Sequence, residues 1–144
     1  MSIETNINII LEGDSNITDK VGSYNSGTEY MIFNSNGLPT SVKDDTTTRE
    51  LTSEDTTINY YSALPISGAE AYIDTEYTVV CRASTELAAR QLQQACFDAF
   101  FRVRSTDKKN HFVGTYDTVI PPQNADDNWN ASVTVRARGS IKCL

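Results

Sequence analysis

The sequence predicts an α+β fold: a mostly antiparallel sheet of about four or five strands, one long helix packed on it, and a short N-terminal helix. Three observations predict it. An alternating run over residues 77–83 passes directly into a helical periodicity that continues to about Arg104. Two further alternating runs follow, at 112–120 and 130–138. Period-two segments on both sides of a period-3.6 segment describe strands and a helix that bury their apolar sides against one another.

Each element has its own local warrant. Within residues 4–12, Ile7, Ile10 and Leu11 recur at helical spacing, and Gly13 marks the stop. Asp14 or Ser15 caps a further turn that holds Ile17 and Val21 and ends at Gly22. Residues 30–33, Tyr-Met-Ile-Phe, favour pleated structure and run into Asn-Ser-Asn-Gly. Residues 57–61 begin another strand, which the Pro65 segment is expected to break. Over residues 71–83, Tyr77, Val79, Cys81 and Ala83 share one face, with Glu76, Thr78, Val80 and Arg82 on the other. Ser84 or Thr85 caps the long helix, and Glu86 sits favourably in its first turn. Ala88, Leu92, Ala95, Cys96, Ala99, Phe100 and Val103 make its core stripe, while Phe97 and Phe101 project round from it beside Arg90, Gln94 and Arg104. In the last strand Ala131, Val133, Val135 and Ala137 point inward, with Arg136 and Arg138 outward. Trp129 is expected to pack over a sheet edge.

Residues 34–57 break this pattern. Seven threonines, three serines and five acids against two bases leave little to bury. A connection of that length inside a compact domain is unusual. It reads as a protruding hairpin or as an arm that orders on assembly, the second being favoured, within a single domain of residues 1–144.

Bulk properties narrow the function. A chain of 144 residues with mean hydropathy −0.39 suits one globular domain. No apolar run approaches the roughly 18 residues of a membrane span. The first residues lack a signal peptide's basic start and apolar core, so the chain is expected to stay where it is made. Cys81, Cys96 and Cys143 show no metal-type spacing, and Cys81 and Cys96 fall on apolar faces as buried thiols. Residues 1–80 hold 13 acids and 3 bases, and residues 81–144 hold 6 acids and 9 bases. Opposite charge on two halves suits copies meeting head to tail, and the net charge of −7 argues against a nucleic-acid binder.

No catalytic residue, metal ligand or cofactor site stands out. The single histidine, His111, opens a strand after a Lys-Lys-Asn turn, and no Gly-rich phosphate loop appears. Residues 14–19 lack the central glycine and terminal glutamate of a calcium loop.

The order of elements, with Thr78-Val-Val-Cys-Arg-Ala-Ser-Thr-Glu-Leu-Ala-Ala-Arg running from strand into helix and Asp127-Asn-Trp-Asn-Ala-Ser-Val-Thr-Val-Arg-Ala opening the last strand, resembles the tail terminator (tail completion) proteins of long-tailed bacteriophages. The resemblance covers most of the chain and rests mainly on 77–103 and 126–138. It implies a small structural subunit, made in the bacterial cytoplasm and carried in the virion neck, that assembles as a ring of typically six copies. Such a ring caps the tail tube, docks to the head connector and lets DNA pass. Six copies would carry six times −7, or −42, so that phosphates are repelled within a Debye length of roughly 8–10 Å. On this reading Arg90, Gln94, Phe97, Phe101, Arg104, Arg136 and Arg138 form subunit contacts. Asp44, Asp45, Arg49, Glu50, Glu54 and Asp55 form an arm that docks on the tube or connector protein. The competing expectations are another neck component (a stopper or adaptor), a receptor- or glycan-binding domain using Trp129 with Tyr60 and Tyr61, and a small enzyme built on His111.

Overall fold

The computed structural model describes residues 2–68, 72–124 and 127–140. Cys143 and residue 71 of the expected strand lie outside them. The chain opens with helix α1 (Ile3–Glu12), capped by the Ser2 hydroxyl accepting from the Thr5 N–H, and the short α2 (Ser15–Thr18), capped by Asp14. The small strands β1 (Ser23–Tyr24) and β2 (Glu29–Tyr30) form a hairpin, followed by β3 (Ile32–Asn34). Strands β4 (Ser41–Asp44) and β5 (Thr47–Glu50) form a second hairpin within the threonine-rich tract. Then come β6 (Thr57–Gly68), β7 (Tyr72–Ala83), helix α3 (Glu86–Ala99), β8 (Val103–Arg104), β9 (Asn110–Ile120) and β10 (Trp129–Ser140).

Six of these strands make one sheet in the order β3-β6-β7-β10-β9-β8. This corrects the expected architecture in three ways. The sheet has six strands, not four or five. It is mixed, because β3 runs parallel to β6, with Ile32 opposite Ile58 and Asn34 opposite Tyr60. And it carries no single long helix. Helix α3 ends at Ala99, five residues short of the expected limit: the Phe100 carbonyl accepts the Gly114 N–H across the sheet, and Arg102 adopts φ 50°. The chain thus reverses, and Val103 and Arg104 pair with Phe112 and His111 instead of continuing the helix.

Pro65 does not end β6. The strand continues past it with register shifts on either side, and β3 covers β6 only at Ile58–Tyr60. Pro65 therefore lies beyond the stretch that β3 pairs, where a residue without an N–H is tolerated.

Both α1 and α3 pack on the same face of the sheet. Ile3, Ile7, Leu11, Ile17, Ile58, Tyr60, Tyr77, Val79, Cys81, Leu92, Cys96, Phe100, Phe112, Val133 and Val135 form one buried cluster. Cys81 and Cys96 meet there with sulfurs 3.6 Å apart, and contact with Cys81 together with burial raises the Cys96 thiol well above its ordinary pKa. Gln93 is buried as well, its Nε2 donating to the Ser132 carbonyl at 2.8 Å. Trp129 packs partly buried on Ala83, Ala89 and Ala131.

Candidate interaction surface

Strand β9 is hydrogen-bonded to β10 along its length, yet its other side is covered only at its start. Beyond Gly114, residues 115–120 have no strand on the outer side among the described residues. An open edge of this kind presents unpaired backbone groups and invites a further chain. Three aromatic rings gather there: Phe97 from α3, Phe101 from the turn after it, and Tyr116 from β9 itself. Phe97 stacks on Tyr116 with centroids 4.2 Å apart and planes at 14°. Phe101 lies 5.7 Å from Phe97. Phe97 is partly buried against the core, whereas Phe101 is 59% and Tyr116 49% exposed. Gln94 accepts the Tyr116 hydroxyl and donates to Asp98 at 2.9 Å, and the Arg102 guanidinium stands 5.9 Å from the Phe101 centroid. Ile120 is exposed farther along the same strand.

The structure divides the expected contact set. Gln94, Phe97 and Phe101 come together, joined by Tyr116, which the sequence reading missed. Its signal was present: Phe112, Gly114 and Tyr116 share one face of a strand by period two. Arg90 sits apart, paired with Glu86 at 2.9 Å one turn away on the same helix. Arg104, Arg136 and Arg138 belong to the opposite face of the sheet. There Arg104 Nε donates to His111 Nε2 at 3.0 Å, and Arg138 grips the buried Asp74 through two bonds of 2.7 and 3.1 Å. Arg136 is exposed opposite Glu76 in register.

The arm is a small hairpin turning at Asp45, which adopts φ 58°. Its Val42 is buried, and its two ends meet where the Leu51 N–H donates to the Thr40 carbonyl at 3.0 Å. The β1–β2 turn holds it: Ser26 donates from its N–H to Asp44 and from its hydroxyl to Asp45, at 3.3 and 2.7 Å. Arg49 pairs with Asp55 at 3.0 Å, leaving Glu50 and Glu54 exposed.

His111, the only histidine, has its Nε2 engaged by Arg104, and the two described thiols are buried together in the core. No group of three or more His, Cys, Asp or Glu residues able to hold a metal ion occurs among the described residues. No described helix is long and apolar enough to cross a membrane. No protein-family model matches the chain, and no curated protein matches it either.

Proposed function

We propose that this chain is a structural protein that closes on its own copies into a ring at the upper end of a phage tail. There it ends tube growth and joins the tail to the head connector, with DNA passing through the lumen. One observation carries the assembly reading: exposed aromatic rings beside an open strand edge. Burying a ring such as Phe101 against a neighbour contributes on the order of 1.5–3 kcal/mol, and aromatic residues with arginine at their margin are typical of subunit contacts. The place in the virion is supported by the likeness of 77–103 and 126–138 to tail terminators.

Phe101→Asp tests the assembly. The side chain is already solvent-exposed, so the variant is expected to keep its far-UV circular dichroism and melting temperature while mass photometry shows monomers in place of rings. Rings of normal stability from this variant would overturn the aromatic interface. For the place in the virion, gold-labelled protein is expected at the upper end of tails that lack heads. Labelling only of head-borne necks would identify a stopper or adaptor instead.

A further inference from the structure

Charge is distributed along the sheet from one edge to the other. On the β8 side of the sheet, residues 102–111 carry Arg102, Arg104, Lys108 and Lys109 against Asp107, while Asp98 and Asp117 stand beside the aromatic group. All four bases are exposed, and none is in an ion pair among the described residues. The Asp107 carboxylate is engaged within its own turn by the Ser105 hydroxyl and the Lys109 N–H. At the β3 edge, once Arg49 is paired with Asp55, the arm region carries Asp44, Asp45, Glu50 and Glu54 against Lys43. β3 and β8 are the outermost strands of a six-stranded order. Five spacings of roughly 4.8 Å separate them by about 24 Å. The arm is held by the β1–β2 turn, and no hydrogen bond or ion pair joins it to residues 102–111 among the described residues.

These positions bear on which surfaces meet when the aromatic group is buried. A head-to-tail contact would set the basic rim against the acidic arm. Like charges across an interface are costly and opposite charges fix orientation. We propose that the aromatic, basic β9 edge of one copy receives the acidic arm side of the next copy, with Lys108 and Lys109 facing Glu50 and Glu54. This rests on the ring reading, whose contacts are heterologous, and adds which two surfaces meet.

Two variants test it. Glu50→Lys with Glu54→Lys reverses the arm, and Lys108→Glu with Lys109→Glu reverses the edge. None of these side chains has an intrachain partner among the described residues, so circular dichroism should be unchanged. By mass photometry each variant alone is expected to assemble about tenfold more weakly than wild type. A 1:1 mixture should recover assembly, because every contact can then join opposite charges, and raising NaCl from low to high should weaken wild-type rings. Rings that ignore both reversals and salt would overturn this contact while leaving the ring reading intact. Wild-type protein that stays monomeric at every salt concentration would overturn the ring reading itself, and this contact with it. A 20-mer DNA duplex bound by wild type and lost on reversing Lys108 and Lys109, with assembly unchanged, would reassign the basic edge to nucleic acid.

Discussion

At the scale of single residues, the turn after β8 shows how a charged group can act structurally. The Ser105 hydroxyl donates to Asp107 at 2.6 Å and the Lys109 N–H donates at 3.0 Å, with Asn6 of α1 reaching the same carboxylate at 3.3 Å. These bonds, the Ser105 hydroxyl first among them, lower its pKa from 3.8 to about 2. A depressed carboxylate favours the fold where it is ionised. The stability it supplies is therefore present above about pH 4 and lost as the pH falls through about 2. Asp107→Asn is expected to show a flatter decline in urea midpoint between pH 5 and pH 2 than wild type, and an unchanged decline would remove Asp107 from this role. Gly139 belongs to the same corner: a Cβ there would stand 2.2 Å from the Asn110 amide nitrogen, and Asn110 is fully buried. What was legible at this scale was alternation, which placed Tyr77, Val79 and Cys81 inward. Gln93 was not legible, because a polar residue on a helix reads as exposed unless its partner is known. Its partner is a backbone carbonyl 39 positions away.

At the scale of elements, local signals placed the start of α3 but not its end. The Thr85 hydroxyl caps α3 by accepting the Ala88 N–H, as a residue of its type at that position suggests. The end of α3 had no such mark. Phe100 and Val103 keep the helical apolar spacing, yet the bond from Gly114 to Phe100 turns the chain toward β8, and its donor lies on a strand formed later in the sequence. The same holds for β6, whose path through Pro65 depends on how little of it β3 covers. Composition singled out the arm, while its hairpin form depends on pairing of Val42 with Arg49 and on the Ser26 contacts. Because Thr40 and Leu51 are already hydrogen-bonded, residues 41–50 can be replaced by two glycines without stretching the chain. Loss of Val42 burial is expected to cost about 1.5–3 kcal/mol, read as a fall of several degrees in melting temperature, with cooperative unfolding retained. Complete loss of the melting transition would show that the arm is part of the folding unit. If assembly survives the replacement, the arm is not the face that meets the next copy.

At the scale of the whole molecule, the sequence conveyed that strands and helices share one core but not how the strands are ordered. The parallel β3–β6 pair arises because the chain leaves β3, builds a separate hairpin and returns in the same direction; no local pattern records such a return. Nor did the opening periodicity reveal that α1 covers the Tyr60 and Tyr77 phenols. Tyr60 donates toward the Glu4 carbonyl at 3.4 Å and the Asn8 side chain at 3.3 Å, and burial, with the nearby Glu12 and Glu4 charges, pushes its pKa up to about 12. Ile3, Ile7 and Leu11 are each fully buried. At about 1.5–3 kcal/mol apiece, removing α1 forfeits an amount comparable with the roughly 5–15 kcal/mol by which domains are stable. A chain beginning at Gly13 is thus expected to lose its cooperative thermal transition, and a sharp transition retained would contradict that weight. The buried Asn6 side chain donates to Asn110, 104 positions later. The seat of α1 is built from distant stretches of the chain, Tyr60, Tyr77 and Asn110 among them. Its apolar stripe is therefore covered only by contacts that close long loops, and the entropy of those closures is part of what burying it must offset.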